Sequence, residues 1–313
     1  MMTGTDHAGR RRICRRALVG GLAGAMVGPV LAGALLLAAA PAALPSGAGA
    51  LAAQSWSTAQ FERQPRSERT LRVDVGFGAG DFRLAAADGN HLYRARFRYD
   101  EEAFALIHEY ANGSLRLGLE GQDRSSRRTS FRRSGEMGEL ELRLGRTIPT
   151  ELELTFGAVR AELDLGGIPL RSLSLTTGAS EGTLRVSERN PEAMSSASFQ
   201  VGAASFSARE LGRLRAREIQ VEAGVGEVRL DFEGLEAAET RLKATLGLGS
   251  LEIHVPAGVG IHLTRSSFLS SLSAPDLERR GNTWVSADWD TAPRRLRIDL
   301  ETALGSVTVT RAR

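Results

Sequence analysis

The side chains able to do chemistry are few and scattered along the chain. Beyond residue 52 the histidines are His91, His108, His254 and His262. His254 and His262 lie eight residues apart, with Pro256 and Gly258 between them. No C-x-x-C or H-E-x-x-H pattern accompanies them, so a metal there would lack a second pair of ligands. Gly178-Ala179-Ser180-Glu181-Gly182 has the Gly-x-Ser-x-Gly form of a hydrolase nucleophile elbow. That elbow needs a strand before the serine and a helix after it, whereas Thr183 to Val186 alternates as a strand does. Gly76-Phe77-Gly78-Ala79-Gly80 looks like a phosphate loop but lacks the Lys-Ser/Thr ending and a following helix. Asp164, Asp231 and Glu252 could form an acid/base pair for attack on a polysaccharide, but arginines alternate with them. Cys14 is the one cysteine, so no disulfide, thiolate nucleophile or thiolate metal site is expected beyond it. The sequence therefore assigns no catalytic residue, cofactor or metal, and it predicts a protein that is not an enzyme.

Two surface features could bind. Arg124, Arg127, Arg128, Arg132 and Arg133 surround Phe131 in a polar, turn-rich stretch. Their chemistry suits anionic lipid headgroups or envelope polymers; the plainer reading is a solvated loop. Trp284 and Trp289 sit five apart. They form either a platform for a sugar or the closure of a core.

The elements that must position these residues begin after a leader. Arg10, Arg11, Arg12, Arg15 and Arg16 precede an apolar run from Ala17 to about Ala40, and Ala50-Leu51-Ala52 supplies an A-x-A cleavage site. This is the order of a secretory signal; an uncleaved membrane anchor is the alternative. The leader also carries the basic charge. The whole chain is only +3, and the part beyond residue 52 is close to neutral, which gives no support for a nucleic-acid partner. The sequence thus predicts a signal peptide or anchor over 1–52, a linker over 53–70, an N-terminal β region over 71–149 and a repeat region over 150–313.

The repeat sets the fold. Gly157, Gly178, Gly202, Gly224 and Gly247 recur at spacings of 21, 24, 22 and 23 residues. Each is followed by inward-type residues at alternate positions: Ala161 and Leu163, Gly182 and Leu184, Phe206 and Ala208, Val228 and Leu230, Leu251 and Ile253. Outlying copies start at Gly78 and Ala303. Period-two alternation buries one side of a strand, and one coil cannot bury that side alone. Coils stacked about 4.7–4.9 Å apart can, by lining up matching side chains in columns. The prediction is an all-β solenoid, with glycine corners that permit left-handed backbone and close approach of neighbouring coils. In register, Asp164 would lie beside Arg185, Arg209 beside Asp231, and Arg229 beside Glu252.

The segments GAVRAELDLGGIPLRSLSLTTGASEGTLRV, FQVGAASFSARELG, IQVEAGVGEVRLDFEG and LKATLGLGSLEIHVPAGVGIHL resemble the toast-rack adhesin-like domains of unknown function. These are similar to the C-terminal domains of Lia cell-envelope-stress proteins. LRVDVGFGAGDFRL looks like the opening of the same kind of unit. The resemblance implies a stacked β fold and an envelope setting, and it supplies no catalytic residues. Lia-type proteins usually carry several membrane spans, whereas this chain has only the leader. The expected function is that of an exported, non-catalytic envelope binding or scaffold protein, located in the periplasm or outside the cell. Envelope polymers, anionic lipid or a membrane protein are the partner classes, and self-association is left open. A carbohydrate-active β-helix enzyme and an envelope-stress signalling regulator are the alternatives.

Overall fold

Alternation at period two becomes strand along almost the whole repeat. The computed structural model describes residues 56–121 and 138–312. In chain order the strands are β1 (Trp56–Arg63), β2 (Leu71–Ala86), β3 (Tyr93–Asp100), β4 (Phe104–Ala111), β5 (Ser114–Gly121), β6 (Glu139–Leu144), β7 (Thr150–Asp164), β8 (Leu170–Thr177), β9 (Glu181–Arg185), β10 (Met194–Arg209), β11 (Ala216–Asp231), β12 (Glu239–Val255), β13 (Val259–Ser273), β14 (Glu278–Arg280), β15 (Thr283–Val285) and β16 (Arg294–Arg311). A 3-10 turn at Leu211–Leu214 joins β10 to β11. The fold is an all-β, solenoid-like stack, as the repeat predicts.

Each long strand turns a corner. In β7, Leu152, Leu154 and Phe156 are buried before Gly157, while Val159, Ala161 and Leu163 are buried after it. The buried phase moves from even to odd numbers at the glycine. The corner thus inserts one extra outward residue into the alternation, Gly157 and Ala158 standing outward together, and turns the strand into a second arm. Both arms bury into one core.

That core is built from columns. On the first arm Val75, Leu154, Leu175, Phe199, Val221, Ala244 and Leu300 lie in register. On the second, Leu142, Leu84, Leu163, Leu184, Ala208, Leu230, Ile253 and Val309 do the same. None of these side chains is more than 4% exposed. Each large one contributes roughly 1.5–3 kcal/mol of burial before conformational entropy is subtracted.

The corner glycines are needed for space. A Cβ on Gly224 would sit 2.8 Å from the Gly202 carbonyl oxygen, and one on Gly247 would sit 2.5 Å from that of Gly224. The expectation of left-handed backbone at these corners is corrected: positive φ falls two residues later, at Gly226 (141°) and Gly249 (136°). Close approach of stacked backbones, not handedness, fixes the residue type at the corner.

The stacking order departs from chain order near both ends: β2 lies beyond β3 and β6, and β16 comes before β13. Strands pair in the sequence β1-β3-β6-β2-β7-β8-β10-β11-β12-β16-β13-β15-β14, so β16 lies between β12 and β13. The inward residues explain this. β16 offers Ile298, Leu300, Val307 and Val309, which suit neighbours on both sides. In the first-arm rows of β13, Arg265 stands beside Leu300 and Ser267 beside Thr302, polar residues that suit the end of a stack.

At the other end, Trp56–Arg63, within the stretch read as a linker, is β1, antiparallel to β3. The ladder passes position 150 without a break, since Leu71 pairs with Thr150 and Leu84 with Leu163. The stretch read as a signal peptide or anchor over 1–52 lies outside the described residues.

Candidate functional site

The outward side chains of the second arm form rows across the coils. One row reads Glu141, Arg83, Glu162, Thr183, Ser207, Arg229, Glu252 and Thr308. Arg83 Nε lies 3.3 Å from Glu162 Oε2. Arg160 bridges Asp81 at 3.9 Å and Glu181 at 3.7 Å. Arg229 pairs with Glu252 at 3.0 Å, as the register predicts, and also contacts Glu227. These groups are about half exposed, so each pair adds only about 0–1 kcal/mol. Shallow clefts interrupt the surface. One of about 480 Å³ is lined by Arg209, Arg229, Asp231, Glu252, His254 and Thr310 among others. Another of about 280 Å³ includes Arg83, Glu141, Arg143, Glu162 and Asp164.

The candidate acids are engaged one by one. Asp164 is in register with Arg185, but its carboxylate accepts the Gly166 N–H at 2.9 Å, the Ser187 N–H at 3.2 Å and the Ser187 hydroxyl at 2.7 Å. Arg185 turns to Glu210 instead, at 3.1 Å. Burial pushes the Asp164 pKa up, but these hydrogen bonds outweigh it and the net shift is downward. Asp164 is thereby held as an acceptor, the wrong state for a general acid. Asp231 caps its own turn by accepting the Glu233 N–H at 2.9 Å.

Ser180 lies between β8 and β9, and the residue after it begins a strand, not a helix. Both glycines of its motif serve the stack. A Cβ on Gly178 would meet the Gly157 carbonyl oxygen at 3.0 Å, and one on Gly182 would meet the Phe206 ring at 3.2 Å. Gly76–Gly80 is the corner of β2. His254 sits on the second arm, with Nδ1 3.2 Å from Thr310 Oγ1. His262 sits on the first arm, its ring 5.3 Å from that of Trp289. Among the described residues, no three His, Cys, Asp or Glu side chains are grouped to hold a metal. The two tryptophans divide their roles. Trp284 packs on the core from β15, while Trp289 faces Arg295 at 5.7 Å and Arg297 at 5.4 Å. Arg124, Arg127, Arg128, Arg132 and Arg133 lie outside the described residues.

A polar and aromatic cluster closes the N-terminal end of the core, and sequence reasoning missed it. Phe61 stacks on His108 at 3.8 Å and 11°. His108 Nε2 is 2.9 Å from Tyr93 Oη. Burial lowers the pKa of His108 and raises that of Tyr93, which favours a neutral imidazole beside a protonated phenol. Tyr110 Oη donates to Glu68, and the Arg63 guanidinium lies 4.0 Å over the Tyr110 ring. The Tyr110 hydrogen bond, followed by the Arg66 N–H, holds the Glu68 pKa down to about 2. A signal was present: Phe104, Leu106, His108 and Tyr110 share one phase of an alternating segment, which places the histidine and tyrosine inward.

The family model described as the N-terminal domain of toast_rack, DUF2154, matches residues 52–209. No curated protein matches the chain. Among solved structures, a candidate cell adhesion protein from Clostridium sporogenes is 15% identical with a TM-score of 0.44, over 82% of this chain and 100% of that one. A candidate adhesin from Bacteroides fragilis is 11% identical with a TM-score of 0.31, over 81% and 97%. A candidate lipid-binding protein from Parabacteroides distasonis is 13% identical with a TM-score of 0.29, over 82% and 97%.

Proposed function

The chain belongs to the toast-rack N-terminal domain family, DUF2154, and from that premise we propose that it is an exported, non-catalytic binding or scaffold protein of the cell envelope. The observation that carries this reading is the state of the outward acids. Glu162, Glu181 and Glu252 are each paired with an arginine from a neighbouring strand, and Asp164 is taken up by hydrogen bonds from Gly166 and Ser187. A surface of this kind offers repeated charge and hydroxyl groups for recognition, not a free acid beside a free base. Export rests on the leader order, from Arg10 to Ala52. Within this proposal, Arg124, Arg127, Arg128, Arg132 and Arg133 supply the contact to anionic polymer or lipid headgroups.

The test is a fractionation and binding experiment on the full chain produced in a bacterium. The chain is expected outside the cytoplasm, bound to envelope polymers or to vesicles containing anionic lipid. Replacing the five arginines by glutamate is expected to weaken that binding at least tenfold. Depolymerisation of an envelope polysaccharide would overturn the reading in favour of a carbohydrate-active enzyme. Recovery of a sensor kinase or other membrane signalling protein as the specific partner would overturn it in favour of a stress regulator. Retention of the chain in the cytoplasm would remove the export claim.

A further inference from the structure

We infer that the outward face of the second arm holds a neutral, unbranched polysaccharide chain laid along the axis of the stack. The inference rests on the reading of the protein as a non-catalytic binder, and it names the ligand class for the repeated surface. Two outward rows run side by side across the coils. The first is the row traced above from Glu141 to Thr308, and it continues past Glu141 to Arg96 on β3 and Gln60 on β1. The second stands two residues away on each strand. It starts at Glu62 and Arg94, passes Asp164 and Arg185, and ends at His254 and Thr310. Between the rows Leu142, Leu163, Leu230 and Ile253 point into the core, so backbone alone floors the space.

Three clefts fill this furrow from end to end. One of about 540 Å³ lies over β1, β3 and β6 and is bordered by Arg96 and Glu141. The cleft of about 280 Å³ shares Glu141 and Arg143 with it and reaches Thr183. The cleft of about 480 Å³ begins at Ser207, the neighbour of Thr183 in the next coil, and reaches Thr310. Together they make one open trough, on the order of 40 Å long at about 4.8 Å per strand.

The chemistry recurs at that spacing. The units of an extended β-1,4-linked glycan repeat at nearly the same interval, so each unit meets a fresh pair of side chains. Guanidinium groups only donate and carboxylates only accept, and the half-exposed ion pairs keep capacity for sugar hydroxyls. Arg83 reaches Glu162 through Nε, which leaves its terminal nitrogens for a ligand. Among the described residues, the side chains of Arg96 and Arg209 make no ion pair or hydrogen bond, and both border the furrow. The mixture of signs disfavours other polymers. A nucleic acid or polyphosphate, charged at every repeat, would meet Glu141, Glu162, Asp231 and Glu252 in turn. An extended peptide adds to a strand edge, and the strands from β3 to β12 along this floor already have neighbours on both sides.

The experiment titrates the purified full chain with fluorescently labelled oligomers of β-1,4-linked glucose and of β-1,4-linked N-acetylglucosamine, read by anisotropy. The hexamer of at least one series is expected to bind at least tenfold more tightly than its dimer, because each added unit reaches another coil. Arg96→Ala combined with Arg209→Ala is expected to weaken hexamer binding at least fivefold at unchanged Tm, since neither arginine has a partner to lose. Arg217→Ala, on the first arm of β11, is expected to leave binding as it was. Vesicles containing anionic lipid, assigned above to the arginines of 124–133, are expected to bind all variants equally. Failure of both hexamers to bind while those vesicles still do would overturn the furrow proposal alone. Equal affinity for dimer and hexamer, or a loss in Arg217→Ala as large as in the double variant, would also overturn it. Shortening of a hexamer by the chain would instead overturn the non-catalytic reading beneath it.

Discussion

Tyr110 Oη donates a 2.7 Å hydrogen bond to Glu68 Oε1, which ties β4 to the segment joining β1 and β2. Glu68 has a pKa of about 2 in the folded chain, below its ordinary value of 4.5. A depressed carboxyl pKa adds stability that is complete above the unfolded value and is lost as pH falls from there toward the folded one. Tyr110→Phe is expected to cost about 1–3 kcal/mol at neutral pH. It is also expected to flatten the loss of stability between pH 4.5 and pH 2. Urea unfolding at several pH values checks both. Equal pH slopes in the two proteins would mean that this hydrogen bond does not hold the carboxylate.

Gly224→Val and Gly247→Val are expected to lower stability by about 1–3 kcal/mol each, several degrees in Tm, by driving a side chain into the carbonyl of the coil beneath. Gly182→Ala should cost less, because the obstacle is the Phe206 ring, which can shift. Thermal unfolding decides. Unchanged midpoints in both valine variants would refute the close-approach account of the corner.

Leu230 is 1% exposed within a column and Leu248 is 48% exposed at a corner. Leu230→Ala is expected to cost about 2–5 kcal/mol, whereas Leu248→Ala should stay within about 0.5 kcal/mol of the parent. Denaturant midpoints of the two variants, compared at constant m-value, provide the measurement. Similar losses would show that Leu248 is not solvent-facing.

Arg229 stands between Glu227 and Glu252 on a half-exposed surface. Arg229→Ala is expected to cost less than about 1 kcal/mol, with the difference shrinking further in high salt. A larger, salt-independent loss would assign this network a structural role.

Much of the fold was legible because the repeat writes it many times over. Leu163, Leu184, Leu230 and Ile253 stand in one column, as their shared offset from the glycines predicts. The family model covers residues 52–209, while the resemblance in the residues is plainest from 150 onward. The register gave the Arg229–Glu252 pair, but not the Gly166 and Ser187 hydrogen bonds that take Asp164 away from Arg185. The Gly166 N–H of its own turn and Ser187 of the next coil compete with the cross-strand pair for Asp164, and spacing alone does not rank them. The Phe61, Tyr93, His108 and Tyr110 cluster was hidden for another reason. Its members come from three strands wrapped around one end of the core, and neighbours of that kind leave no periodic trace. The corner glycines were found for the right residues but with half the reason, since sequence cannot separate a need for space from a need for positive φ.

The position of β16 bears on how the molecule is completed. β13 precedes β16 in the chain yet lies beyond it in the stack. As the chain emerges during synthesis, β12 can settle on the rungs already laid, but β13 has no berth until β16 slides in beside β12. For that interval two aliphatic edges stand bare and the order of assembly cannot follow the order of emergence. Delay or damage in the stretch from Arg294 to Arg311 would therefore open a gap inside the stack instead of fraying its tip, and unfinished molecules would be prone to capture by one another.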